Sequence, residues 1–449
     1  MSDATSAADP SLNTPARPAA SNFWVAVLLA VMVGQSAMWV PWLNGLPLVK
    51  IAFVFAAIRL YRVRGSLVPV RVRSLKIAQP AIAFLTLSVV SIVFSVYRSN
   101  TLIASQASII YLCAMILLVR TTWNERDLER LLFGLAAGAA SLTVGVLLNY
   151  HGGRATINEN FDPNDIAYNL DTLLPIVLAL RVGRSRMGRL LLNSLALGMI
   201  LAVLLTGSRG GAIGLGVVLV LVTAFPMDQM PDGTLRKFSM RGLLARGALV
   251  GLAGLALWGA LPGVIQERLQ TLTDLGNDYN ADPTSNAART VIWRRDLMLA
   301  LERPIGYGLG SAPTVDWQHG GQYRTAHNSL VQAFLELGVL GLLLYVYCYY
   351  ICWRELRRLA RRGYLHRPDD PKTRAALYAR ALAVALAGNL AAGFFLSQAY
   401  SEALWMIVAV CAAFVRIETV TNPAAPSSDT GPGASHPDQA QRLVPPPIY

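Results

Sequence analysis

Long apolar runs are the feature that most restricts how this chain can fold. About twelve of them follow one another along the 449 residues, each near the roughly 20 residues that a helix needs to cross a bilayer. Apolar residues make up 54% of the sequence and charged residues only 14%, against roughly 25% in an average soluble chain. Because lipid offers no partner to free backbone amides, such runs form helices. The sequence therefore predicts an all-α, polytopic membrane protein of about 12 transmembrane helices.

The predicted transmembrane domain occupies residues 23–416. Its apolar runs lie at residues 23–40, 44–60, 77–96, 101–119, 128–149, 166–182, 189–206, 210–226, 246–263, 328–350, 377–396 and 401–416. Residues 1–22 and the Pro-, Ser- and Gly-rich residues 417–449 are predicted to be disordered cytoplasmic segments. The longest polar interval, residues 264–326, is predicted to be an external loop that contains short helices.

The basic residues predict how the chain is oriented. The net charge is +13, and most of the 39 lysines and arginines fall in loops on one side if the N-terminus is cytoplasmic. The positive-inside rule favours that orientation and an even number of spans. It also accounts for the basic excess without a nucleic-acid partner. The arginines that remain outside need their own explanation: Arg98, Arg154, Arg209, Arg268, Arg289, Arg294, Arg295, Arg303 and Arg324.

Two short external segments carry candidate residues. The segment YHGGRATINENFDPND (150–165) holds Arg154 and Asn164 at the mouth of the sixth span, with Asp165 as a candidate N-cap of that helix. The turn TGSRGG (206–211) places Arg209 at the membrane edge. A snorkelling arginine is the simple alternative, but the positive-inside rule makes an outside arginine in so short a turn less routine.

The long external loop contains one amphipathic stretch, SNAARTVIWRRDLMLALERP. Arg289, Trp293, Asp296 and Ala300 share one face of a predicted helix, which Pro304 ends. This helix either contributes Arg289 and Trp293 to a site or lies on the membrane surface, with Trp293 as an interfacial anchor.

The loop ends in TAHNSLVQAFLELGVLG, where His327 precedes the tenth span and Glu336 lies within it. An ionisable group within lipid is a candidate for function, although Glu336 could equally pair inside the bundle. A histidine accepts a proton from a hydroxyl near neutral pH, and arginines bind phosphates through a planar fork. The combination suits transfer from a phosphate-activated donor to a hydroxyl acceptor. The sequence has no Asp-rich metal site, so we expect no metal and no cofactor.

Five motifs in this order resemble the bacterial O-antigen ligase and polysaccharide polymerase superfamily. They are R-x-T-I-N-E-N-F-D-P-N-D, the T-G-S-R-G-G turn, R-x-x-x-W (Arg289 to Trp293), P-I-G-Y-G-L-G-S and H-N-S-L-x-x-x-x-L-E-L-G (His327 to Gly338). At motif level the resemblance covers residues 150–340. It implies a metal-independent inverting glycosyltransferase of the bacterial inner membrane, whose donor is a glycan on undecaprenyl pyrophosphate and whose external loop and active site face the periplasm.

The resemblance also implies roles for residues of this chain. Arg209 and Arg289 would hold the pyrophosphate, and His327 would activate or position the acceptor hydroxyl. Arg154, Arg324, Asn164, Trp293 and Glu336 are further substrate-binding candidates.

The acceptor stays open at this point. A ligase of lipopolysaccharide biosynthesis passes the glycan to the lipid A core, and we favour that assignment. An O-antigen or exopolysaccharide polymerase extends a lipid-linked repeat instead, and related enzymes glycosylate proteins. From another functional class, a transporter or flippase of lipid-linked oligosaccharide remains an alternative, although its charged groups would be expected near the midplane of two similar halves.

Overall fold

The protein is an all-helical bundle in the part of the chain that the structure describes. This computed structural model describes residues 22–62, 75–122, 124–158, 161–227, 238–271, 288–321, 323–362 and 371–421. The helices are α1 (Phe23–Gly34), α2 (Ser36–Trp39), α3 (Leu48–Arg62), α4 (Ala78–Val90), α5 (Arg98–Thr121), α6 (Glu125–Leu148), α7 (Pro163–Leu180), α8 (Arg186–Leu205), α9 (Arg209–Ala224), α10 (Met240–Ala260), α11 (Gly263–Gln270), α12 (Arg289–Glu302), α13 (Ala312–Gln318), α14 (Ser329–Arg362), α15 (Pro371–Gly393) and α16 (Glu402–Thr421).

A helix overlaps each predicted apolar run, so the all-α class is confirmed for the described residues. Six helices are long and apolar enough to cross a membrane: α5, α6, α8, α10, α14 and α15. Shorter apolar helices include α1, α4 and α9. The protein is therefore a multi-pass membrane protein, whereas twelve spans remain a prediction. The predicted disordered segments lie almost entirely outside the described residues, and α16 continues to Thr421.

Side-chain caps fix where several helices begin. Asn124 caps α6, Ser185 caps α8 and Ser208 caps α9, each by accepting a hydrogen bond from an amide of the first turn. The cap of α7 is Asp162, whose carboxylate accepts from the amide of Asn164 at 2.8 Å. Asp165, the residue that the sequence suggested for this role, instead lies in the first turn because Pro163 starts the helix earlier.

The core of the bundle surrounds α15, which packs against α7, α9 and α14. Nearly every residue of α7 is buried. By contrast, α10 packs on α9 and has no buried residue, so leucines such as Leu249, Leu252 and Leu255 are exposed over about two thirds of their surface. An exposed helix that is apolar throughout residues 247–260 is stable in lipid rather than in water.

The segment that the sequence predicts to be an external loop contacts α14 at a break in that helix. Gly338 adopts a φ of 69°, and the preceding carbonyls turn away from the helix to the segment 304–311. The amides of Tyr307 and Gly308 donate to the carbonyls of Leu335 and Glu336 at 3.0 and 2.8 Å, and Val339 donates to Pro304 at 2.9 Å. A Cβ at Gly338 would lie 2.0 Å from the Pro304 carbonyl oxygen, so only glycine fits there.

Short helices occupy the described parts of the predicted external loop, as the sequence led us to expect. They are α11, α12 and α13. The helix α12 begins at Arg289 and ends two residues before Pro304, and its buried face includes Asp296 and Ala300. It packs against α14, so it contacts the bundle rather than lying free on a surface.

Candidate functional site

His327 stands at the start of α14 in a backbone conformation that side chains rarely adopt. Its φ is 49°, in the left-handed region. The next residue, Asn328, caps α14 by accepting from the amides of Leu330 and Val331 at 2.9 and 3.1 Å. Ser329 donates to the Leu396 carbonyl at 2.8 Å. The surrounding contacts hold the strain at His327, and stored strain of this kind is concentrated at functional sites.

The surroundings of His327 keep its imidazole neutral. Burial and then the positive charge of Arg289 lower its pKa to about 4, while the Asp162 carboxylate opposes this shift and Arg324 adds to it. The folded protein therefore carries a neutral histidine at physiological pH. The unprotonated ring nitrogen can accept a proton, and the positive charges of Arg289 and Arg324 act on the same ring.

Trp293 attaches α12 to the peptide that precedes His327. Its indole Nε1 donates to the Ala326 carbonyl at 2.6 Å, and its ring makes an edge contact with Phe394 at 5.5 Å between centroids. Arg289 lies one turn earlier on the same helix, which places its charge within electrostatic range of His327. The observed role of Trp293 is thus to fix the approach of α12 to α14.

Arg209 and Arg289 share a feature that the sequence did not reveal. Each is the first residue of its helix, α9 and α12 respectively. The free backbone amides and the positive end of the helix dipole at a helix start favour binding of an anion. The guanidinium of an arginine at that position favours it as well. The Arg209 side chain donates to the Thr271 hydroxyl at 3.1 Å, and the neighbouring Arg268 donates to the Gly207 carbonyl at 3.5 Å.

Arg154 and Asn164 support the turn that precedes Arg209. The Arg154 guanidinium donates to the Thr206 carbonyl at 3.0 Å and to the Asn164 side-chain oxygen at 3.2 Å. The Ala155 amide donates to the Leu205 carbonyl at 2.9 Å. These contacts join segment 150–158 to the end of α8, so both residues stabilise the turn in the observed structure.

Glu336 is held by the loop segment that follows α12. Its side chain is 1% exposed and accepts from the Ala312 amide at 3.1 Å, at the start of α13. The sequence left open whether Glu336 binds substrate or pairs inside the bundle, and this contact favours the pairing role. Arg324, by comparison, is exposed, and its charge acts on His327.

Two other arginines of the external loop are engaged by the protein. Arg295 pairs with the buried carboxylate of Asp316, and Arg303 donates to the Phe94 carbonyl at 2.7 Å.

Sequence reasoning missed Asp162 and Arg268 as neighbours of the candidate site. The signal for Asp162 was its position before Pro163, where a helix cap is expected.

The arrangement combines a neutral base, His327, with the positive charges of Arg289 and Arg324, which form a cationic rim beside it. A neutral imidazole can take a proton from a hydroxyl, and adjacent guanidiniums can stabilise negative charge that develops on a leaving group. Within the described part of the chain, no group of three or more His, Cys, Asp and Glu residues is arranged to hold a metal ion.

Residues 194–346 match the family model described as O-Antigen ligase. Curated proteins gave no significant match to the chain. The matched third of the chain runs from α8 into α14 and contains Arg209, Arg289, Arg324, His327 and Glu336. Its family description indicates a glycosyltransferase-like membrane enzyme that acts on lipid-linked glycans. The chain therefore carries a domain of the O-antigen ligase superfamily, in agreement with the resemblance of its motifs.

Proposed function

We propose that this protein transfers a glycan from undecaprenyl pyrophosphate to an acceptor hydroxyl, with His327 as the base. The observation that carries the proposal is the neutral His327 imidazole beside Arg289 at the start of α12. A cation alone would bind a phosphate, and a histidine alone could have a structural role. Their juxtaposition provides both a proton acceptor and a partner for the leaving group.

The proposed reaction is a single displacement. The acceptor oxygen attacks the anomeric carbon of the donor as its proton passes to the free ring nitrogen of His327. The bond from that carbon to the phosphate oxygen breaks, and its electron pair leaves with the lipid pyrophosphate. Arg209 and Arg289 stabilise the departing charge, and the imidazolium then releases its proton to water. Attack opposite the leaving group inverts the configuration, and arginine charge replaces a metal ion in this scheme.

An apolar groove supports a lipid-borne donor. It has a volume of about 670 Å³ and lies between α9, α14 and α15. Its lining includes Ile213, Trp353, Leu390, Phe394 and Phe395. Phe394 also touches Trp293, and Leu396 and Phe395 approach Gly210, which follows Arg209. A polyprenyl chain in this groove would bring its pyrophosphate toward the proposed arginines.

The side of the membrane is part of the proposal. The basic residues of the predicted cytoplasmic loops favour cytoplasmic termini and an active site that faces the periplasm. A membrane-impermeant maleimide should label a cysteine introduced at exposed Arg324 in intact spheroplasts. It should label one at exposed Arg357, in α14 beyond the membrane, only after the spheroplasts are broken. The reverse pattern would overturn this orientation.

The acceptor that we favour is the lipid A core, as in an O-antigen ligase. The test is the glycan profile of a strain that lacks the gene. Loss of long-chain lipopolysaccharide with lipid-linked polymer retained is the expected result. Accumulation of single lipid-linked repeats would indicate a polymerase instead. An unchanged glycan profile would contradict glycan transfer and favour transport.

A further inference from the structure

A small polar cavity lies at the same end of the bundle as His327. Its volume is about 250 Å³, below the roughly 300–1,000 Å³ of pockets for drug-sized ligands. A single sugar ring is therefore a better match to it than an oligosaccharide. Its walls come from the end of α1, the middle of α5, the first two turns of α7, the first turn of α14 and the segment that leads into α16. The polar lining includes Gln35, Asp165, Asn169, Gln332, Gln398 and Glu402.

The cavity and His327 are joined by short connections along the chain. Phe161 and Asp165 line the cavity and flank Asp162, whose charge acts on His327. On the other side, Ser329 follows His327 by two residues and accepts from the Gln398 amide at 2.9 Å. His327 is therefore linked to this cavity through the segment 161–165 and through Ser329.

Several polar side-chain atoms that line the cavity have no hydrogen-bond partner among the described residues. They include the Oδ1 atom of Asn169, a residue only 7% exposed, and the Oγ atom of Ser397. Buried polar atoms in folded proteins almost always have a protein, water or ligand partner. These atoms are thus available to a ligand that brings its own hydroxyl groups.

The remaining lining matches the chemistry of a carbohydrate. Gln398 donates to Asp165 and Gln35 donates to Glu402, which leaves carboxylate lone pairs free to accept from sugar hydroxyls. Tyr111, Phe161 and Tyr400 supply aromatic surface. The described lining has two acidic side chains and no lysine or arginine, so the pyrophosphate of the donor finds no cation to pair with here.

We propose that this cavity binds the sugar ring of the acceptor that carries the attacking hydroxyl. The assignment rests on the proposed glycan transfer, because it takes His327 as the base and Arg209 and Arg289 as the donor-binding arginines. Under this assignment the acceptor is a carbohydrate, either the lipid A core or a lipid-linked repeat. A protein side chain is then not the acceptor at this position.

The kinetic test uses Asn169→Ala and Ser397→Ala in the purified full-length protein. The donor is a synthetic prenyl-pyrophosphate glycan, and the acceptors are isolated lipid A core and lipid-linked repeat in separate arms. Each variant should raise the KM for the working acceptor about fivefold to tenfold, as for the loss of one hydrogen bond, and leave the donor KM unchanged. A rise in donor KM alone, or no change in either KM, would overturn the assignment.

A binding measurement separates this inference from the proposed function. Saturation-transfer NMR of the wild type with N-acetylglucosamine and with glucose should give signals from at least one sugar, and both variants should weaken them. Those signals do not depend on catalysis, so they would persist even if the protein transferred no glycan. Signals that are absent in the wild type, or unchanged in both variants, would overturn the cavity assignment even if transfer is intact.

The matched control is Asn100→Ala, which removes an amide that donates to Thr314 at 3.2 Å and lies outside the cavity lining. It should leave sugar signals and acceptor KM at the wild-type level. Because the Asn169 and Ser397 atoms have no protein partner, their variants should also melt within a few degrees of the wild type, and a change in binding then reflects the ligand.

Discussion

His327 and Glu336 are two ionisable residues nine positions apart at the start of one helix, yet their surroundings are opposite. Glu336 is enclosed, and its carboxylate accepts from the first amide of α13. His327 is held in a left-handed backbone conformation, beside arginines that keep its imidazole neutral. The difference assigns Glu336 to the packing of segment 304–312 against α14, and it supports the proposal that His327 takes part in the reaction.

The largest effect is expected when the base is removed. His327→Asn tolerates the left-handed conformation but provides no imidazole. We expect kcat for glycan transfer to fall roughly 10²- to 10⁴-fold, because a positioned general base contributes about that much. The measurement is transfer by purified protein with a lipid-linked donor.

The control for this variant is His327→Gly, which relieves the backbone conformation altogether. It should be as thermally stable as the wild type, or more so, and equally inactive. Wild-type activity in His327→Asn would contradict the role of His327, and a large loss of thermal stability in both variants would instead indicate a structural histidine.

Removal of Arg289 tests whether a positive charge beside His327 is needed for the reaction. Arg289→Ala should lower kcat about 10²- to 10³-fold, the usual cost of losing one group that stabilises developing charge. Arg294→Ala removes an exposed arginine of the same helix and should change the rate by less than about threefold. Equal losses in both variants would mean that the general charge of α12, and not Arg289, supports the reaction.

The smallest effect on chemistry is expected at Glu336. Glu336→Ala leaves the Ala312 amide buried without its acceptor, which should lower the free energy of unfolding by about 1–3 kcal/mol. The transfer rate per folded molecule should stay within a few-fold of the wild type. Glu336→Gln keeps an acceptor oxygen and should recover most of the stability. A stable but inactive Glu336→Gln would place this residue in the reaction instead.

Much of this fold followed from the sequence for physical reasons. Apolar runs of bilayer length must be helical in lipid, and the amphipathic stretch SNAARTVIWRRDLMLALERP contains α12, which begins four residues after the first residue of that stretch, at Arg289. The cap of α7 was misplaced because Pro163 can begin a helix one turn earlier than the apolar pattern does.

The site could be predicted only in part. The residue types of His327 and Arg289 suggested acid–base chemistry beside an anion, but the left-handed backbone and the helix starts at the arginines depend on tertiary contacts. The polar cavity was also invisible, because Asn169, Gln332 and Ser397 come from three distant segments that only the folded bundle brings together.

The pH dependence of transfer tests most directly whether a neutral His327 acts as the base. A pKa lowered to about 4 keeps the imidazole unprotonated at all higher pH, so kcat/KM should stay level from pH 7 down to about 5 and fall only near pH 4. Arg324→Gln removes a charge that lowers this pKa, so the fall should move toward higher pH, with activity regained on return to pH 7. A fall centred near 6.5 in the wild type, unmoved by Arg324→Gln, would contradict a neutral histidine held beside these arginines.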